Sequence, residues 1–89
     1  MGASMKSLTT PDFWAAYAKL PNEIRVTARA AYRIWQNNPR HPSLHFKKVD
    51  ELWSVRIGRS YRALALLEGD TYFWFWIGTH DEYEQLLAE

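Results

Sequence analysis

Five consecutive aromatics, Tyr72, Phe73, Trp74, Phe75 and Trp76, stand in the stretch TYFWFWIGTHDEY (residues 71–83) and limit what this chain can fold into. A half-solvated strand alternates apolar with polar residues. This run does not, so both of its faces need cover. It is short, rich in aromatics and stops at Gly78, which reads as a central strand rather than a helix. Directly after it, Thr79 and Glu82 have the spacing of a capping box, opening a short helix that carries Tyr83, Leu86 and Leu87 on one side. His80 therefore belongs at a strand-to-helix junction, where a fold can hold a polar side chain rigidly at the edge of its sheet.

The rest of the chain supplies the cover. A short edge strand is expected from about Met5 to Thr9. Thr10 before Pro11 is an N-cap with proline in the first turn, and Phe13, Trp14, Tyr17 and Leu20 recur at helical spacing. Pro21-Asn22 breaks this helix, and a second runs to Asn37 with Ile24, Ala28, Ala31 and Trp35 on one face. Two helices joined so tightly form a hairpin whose apolar faces need a sheet. Asn38 to Asp50 reads as an irregular basic connection. From Leu52 onward the chain reads as a three-stranded meander: Leu52 to Gly58, Tyr61 to Leu67 and Thr71 to Gly78, with turns at Gly58-Arg59-Ser60 and Gly69-Asp70. The fold class is α+β: a helical hairpin on a small antiparallel sheet, with an N-terminal edge strand and a short C-terminal helix.

Eighty-nine residues make one domain, and 14 aromatics let so short a chain build a dense core. MGAS ahead of a second methionine is consistent with a natural start at Met5, leaving residues 1–4 as an added leader or disordered. The absence of cysteine excludes disulfides and thiolate metal sites, and a reducing cytoplasm is the default location. No stretch reaches the ~20 apolar residues of a membrane span, so no membrane partner is expected. A net charge of +1 argues against a sequence-blind electrostatic nucleic-acid binder, although nine of the 11 Lys and Arg residues lie between Arg25 and Arg62. Arg25, Arg29 and Arg33 repeat at helical spacing, either as a solvated face or as a contact for an anionic partner. His41 and His45 lack a third ligand, and Pro42 between them disrupts a helix that would align them, so neither a metal nor another cofactor is expected.

The register of the first turn carries the chemistry. With a three-residue loop at Gly58 to Ser60, Ile57 pairs with Tyr61, and Trp53, Val55, Ile57, Tyr61, Ala63, Ala65 and Leu67 share one apolar face. Arg56 then lies opposite Arg62 on the other face. Like charges in a cross-strand pair repel, so either a carboxylate or an anion lies between them. Arg56, Arg62, His80 and Tyr83 form a candidate constellation suited to metal-free phosphodiester cleavage, with guanidinium groups on the phosphoryl oxygens and acid and base groups moving protons. The alternatives are structural: His80 capping the sheet edge and Tyr83 packing in the core.

The segments HPSLHFKKV, WSVRIGRSYRALA and YFWFWIGTHDEY, in this order after two helices, resemble the RelE/ParE family of small bacterial toxins from type II toxin-antitoxin modules. The resemblance implies a helical hairpin against an antiparallel sheet and a cognate antitoxin as partner. For the RelE branch it also implies a ribosome-dependent endoribonuclease, an mRNA interferase that inhibits translation. On that branch Arg56 and Arg62 match the basic strand residues, His80 stands where other members have arginine, Ser54 where they often have lysine, and Tyr83 one helical turn before the usual tyrosine. Lys47, Lys48 and Arg59 would assist docking on RNA, with the ribosome and mRNA as partners. A ParE-like toxin would instead inhibit DNA gyrase and cleave nothing, and a third possibility is a non-toxic member that keeps only antitoxin binding. In each case an apolar groove is expected for an antitoxin helix or strand, and an acidic antitoxin segment would neutralise the arginines.

Overall fold

The computed structural model describes residues 6–88, so the leader assigned to residues 1–4 and the expected strand start at Met5 lie outside the described residues. The chain runs β1 (Lys6–Thr9), α1 (Pro11–Ala18), α2 (Asn22–Asn37), a 3-10 turn (Pro42–Leu44), β2 (Lys47–Val49), β3 (Leu52–Ile57), β4 (Tyr61–Glu68), β5 (Thr71–Thr79) and α3 (His80–Ala88). The five strands form one sheet in the order β1-β5-β4-β3-β2, with β1 parallel to β5 and every other pair antiparallel. The aromatic strand β5 is therefore internal, flanked on both edges.

Local chemistry sets the element ends. Thr10 Oγ1 accepts from the Phe13 backbone N–H (3.2 Å), and both the Thr10 N–H and its hydroxyl donate to the Trp74 carbonyl, pinning the start of α1 to β5. Gly58 (φ +59°) and Gly69 (φ +61°) take the left-handed backbone at the two meander turns. The hairpin of α1 and α2 covers one face of the sheet, burying Ala28, Ala31 and Trp35 against Val55, Ile57, Ala63, Ala65, Tyr72, Trp74 and Ile77. Trp35 is the hub. Its ring meets Phe46, Tyr72 and Trp74 edge to face at centroid distances of 5.7, 5.3 and 5.4 Å.

Three features depart from the sequence reading. The connection read as irregular contains a 3-10 turn that buries Leu44 and an edge strand, β2, paired with β3. Three residues, two of them lysine, are too few to show alternation, and lysine is at home on a sheet edge. Strand β5 also carries a bulge: Leu64 pairs with Trp76 but Ala65 with Trp74, leaving Phe75 as the extra residue. The bulge lets Tyr72, Trp74 and Ile77 all face the helical hairpin although they are not evenly spaced. The opposite face is covered less completely, since Phe73, Phe75 and Trp76 are half-buried. On α3, Tyr83 is buried and Leu87 half-buried, while Leu86 turns outward and is exposed. An i, i+4 stripe, not the broader one expected, faces the strands.

Candidate functional site

Arg56 pairs with Arg62 and Ile57 with Tyr61, the register that sets two arginines opposite each other on the face away from the helical hairpin. Arg62 in turn pairs with Gly78 on β5. A side chain at position 78 would collide with its surroundings, because a Cβ there would lie 2.4 Å from Trp76 Cζ2 and 2.6 Å from Glu82 Oε1. Glycine thus lets Trp76 and the start of α3 close over this end of the sheet. The capping box forms in full: the Thr79 N–H donates to Glu82 Oε1 (2.9 Å) and the Glu82 N–H to Thr79 Oγ1 (3.1 Å). The His80 N–H donates to the Ser60 carbonyl at 2.7 Å, tying the β3-β4 turn to the first residue of α3.

These constraints shape a cleft of about 450 Å³ lined by Arg59, Arg62, Thr79, His80 and Asp81, with Ser60 and Tyr61. Arg62 Nη1 donates to its neighbour's carbonyl at Tyr61 (3.0 Å), and Arg56 Nε donates to the Gly58 carbonyl (2.9 Å). Each guanidinium carries five N–H donors, so both keep several in reserve. Among the described residues, neither arginine has a carboxylate within ion-pair distance. Burial first, and then the like charge of Arg56, lower the Arg62 pKa from the ordinary arginine value, against the opposing influence of Tyr83 and Glu84. An arginine still keeps its proton at neutral pH. The result is a fixed pair of cations whose repulsion an incoming anion would relieve.

Tyr83 packs against Arg62 and His80. Its ring centroid is 5.9 Å from Arg62 Cζ and 5.8 Å from the His80 ring, which is tilted against it. One turn further along α3, Glu84 Oε2 lies 3.6 Å from His80 Nε2, a carboxylate that the sequence reading passed over although its i, i+4 spacing from His80 was visible. The structure therefore brings Arg59, Arg62 and His80 into one cleft, with Arg56 and Tyr83 adjoining. The two lysines part company. Lys47 pairs with Ser54, on the same face as Arg56, whereas Lys48 pairs with Trp53 and belongs to the face of the helical hairpin. Among the described residues no cluster of His, Asp or Glu could hold a metal ion, and no helix is long and apolar enough to cross a membrane.

A second concavity lies on the other side of the sheet. About 670 Å³ in volume, it runs between β1, α1 and α2, and Leu8, Trp14, Tyr17 and Tyr32 line it with Arg29 and Arg33. Leu8 and Trp14, both lining this groove, are 55% and 51% exposed, a large share for apolar residues of their size. Trp35 also lines it, and its indole N–H is buried without an acceptor among the described residues. Arg29 Nη1 donates to the Tyr17 hydroxyl (2.7 Å), so one arginine of the helical stripe braces the hairpin at the groove's rim.

Comparison with known proteins agrees with this architecture. The profile of the ParE-like toxin domain matches residues 22–85. Among solved structures, the RelB-RelE antitoxin-toxin complex from Methanococcus jannaschii superposes with a TM-score of 0.70 at 19% identity, covering 89% of this chain and 96% of the other. The archaeal RelE-RelB complex from Pyrococcus horikoshii gives 0.70 at 13% identity, with 88% and 97% covered. The intact E. coli RelBE toxin-antitoxin complex gives 0.62 at 13% identity, with 84% and 95% covered. No characterised protein matches by sequence alone. The structures attest the fold, and the family profile spans most of the chain from α2 into α3. The chain belongs to the ParE-like toxin domain family, and its fold is that of the RelE toxins in those complexes.

Proposed function

We propose that this toxin is a ribosome-dependent endoribonuclease that cuts mRNA and so inhibits translation. The observation that carries this is the cross-strand pair Arg56 and Arg62, without a carboxylate partner among the described residues, beside His80 in an open cleft. A pair of like charges costs stability, and a phosphodiester is an anion that would offset the cost. In the proposed reaction the ribose 2′-oxygen forms a bond to the adjacent phosphorus and the bond to the 5′-oxygen breaks. His80 accepts the 2′-hydroxyl proton, Arg56 and Arg62 stabilise charge on the phosphoryl oxygens, and the leaving 5′-oxygen takes a proton from solvent. The products carry a 2′,3′-cyclic phosphate and a 5′-hydroxyl. Arg59 and Lys47 extend the basic surface on which RNA would dock, and Lys48, on the other face, is the weaker candidate.

The cognate antitoxin is the second partner, and the apolar groove between β1 and the helical hairpin is its proposed seat. Arg29 and Arg33 at the rim favour a segment with acidic residues beside its apolar ones. A second function, inhibition of DNA gyrase without cleavage, is favoured by the ParE-like family profile. Primer extension on mRNA held by translating ribosomes separates the two. New 5′ ends at the decoding site with wild type, lost with Arg62→Ala and His80→Ala, support the ribonuclease. Growth arrest with intact mRNA overturns it and points to gyrase.

A further inference from the structure

The imidazole of His80 has two nitrogens, and the surroundings treat them differently. Nε2 faces the Glu84 carboxylate at 3.6 Å, one helical turn along α3. The other charged groups near His80 are Asp81 beside it on α3, and Arg59 and Arg62 lining the same cleft from the turn and β4. Of the two acidic neighbours, only Glu84 lies within ion-pair distance of the ring. We infer that Glu84 is a positioning residue: it holds the proton of neutral His80 on Nε2 and leaves Nδ1 as the nitrogen that accepts the substrate proton.

Resting on the ribonuclease function proposed above, the inference says which atom does the work and what sets it. A neutral imidazole carries one proton, and a carboxylate facing Nε2 selects the tautomer with hydrogen there. When Nδ1 takes the 2′-hydroxyl proton the ring becomes a cation, and the same carboxylate stabilises it as it forms. Serine hydrolases use a carboxylate behind a histidine in the same way, there on Nδ1. Here the roles of the two nitrogens are exchanged, because an i, i+4 pair on one helix presents the far nitrogen to the carboxylate. Both side chains are substantially exposed, at 38% for His80 and 66% for Glu84, so replacing Glu84 leaves the packed core untouched.

Two measurements test this, one without any reaction. Long-range ¹H-¹⁵N spectra of the free protein report the tautomer of each histidine, with the His80 signals assigned from His80→Ala. Neutral His80 is expected to show the Nε2–H pattern in wild type and a mixture in Glu84→Gln. An Nδ1–H pattern in wild type overturns the inference. In ribosome-programmed cleavage, Glu84→Gln is expected to lower kcat by about ten-fold or more with KM within about two-fold, and Glu84→Asp to recover part of the loss. Wild-type kcat in Glu84→Gln overturns the role of Glu84 and leaves the nuclease standing. If wild-type protein leaves the mRNA whole, the nuclease function fails and the proton-transfer role falls with it.

Discussion

Arg56 and Arg62 lie directly opposite each other across β3 and β4, on the face away from the helical hairpin. Nothing acidic among the described residues pairs with either. A contact that costs stability and stays in place at a cleft points to function, and it separates two properties that usually fall together. Arg56→Gln is expected to unfold at equal or higher urea concentration, the gain being up to about 1 kcal/mol, while cleavage falls. Arg62→Ala should lower cleavage by about a hundred-fold, the scale for losing one charge-stabilising donor. Urea melts beside primer-extension rates test both.

The same pair should bind inorganic phosphate. Millimolar phosphate is expected to raise the thermal midpoint of wild type and to leave Arg62→Ala unmoved, because a ligand that binds only the folded state stabilises it by mass action. Chloride at matched ionic strength is the control. An equal rise in both proteins would count against an anion site at Arg62.

The start of α3 holds His80 in place through its capping box, and Gly78 just before it has no room for a side chain. Thr79→Ala is expected to cost about 1 kcal/mol through the lost cap. Gly78→Ala forces Trp76 and Glu82 apart and should cost about 1–3 kcal/mol. Denaturant titrations give both values, and cleavage at a temperature where each variant is fully folded shows how far His80 has moved.

The groove and the cleft lie on opposite sides of the sheet, so their variants should separate. Leu8→Asp and Arg29→Glu are expected to weaken antitoxin binding by ten-fold or more, and mRNA cleavage by free toxin should stay at the wild-type rate. Leu8 is 55% exposed, so its replacement spares the fold. Calorimetric titration with the antitoxin, beside cleavage assays, checks the separation.

Burial raises the Tyr72 phenol above its ordinary pKa of 10.0. A group raised on folding gives stability that is complete below its unfolded value and is lost as pH climbs through the folded one. Stability is therefore expected to fall from about pH 10 upward, and Tyr72→Phe should lose less over that range. Urea midpoints on either side of that pH, for both proteins, give the comparison.

Much of this site was legible before any coordinates, because its parts obey short-range rules. The three-residue loop at Gly58 sets the register, the register sets Arg56 against Arg62, and Thr79 with Glu82 sets the start of α3. What stayed hidden depends on partners far away in sequence. Strand β2 exists because β3 offers it an edge, and the bulge at Phe75 exists because Trp74 and Ile77 must both meet the hairpin. Lys47 and Lys48 look equivalent in sequence, yet the pleat of β2 sends them to opposite faces. Glu84 lay in plain view at helical spacing from His80 and was missed because an exposed i, i+4 pair carries so little signal.

One hydrogen bond, from the His80 N–H to the Ser60 carbonyl, makes the β3-β4 turn and the start of α3 a single mechanical unit. The groove is on the reverse of the sheet from that unit. An inhibitor confined to the groove would thus leave the cleft open to solvent, and one that blocks both has to travel around an edge strand. The protein's smallest dimension is 26 Å, and an extended chain advances roughly 3.3 Å per residue, so the crossing takes about eight residues. Antitoxin segments truncated to less than that reach would still bind this toxin while failing to silence it.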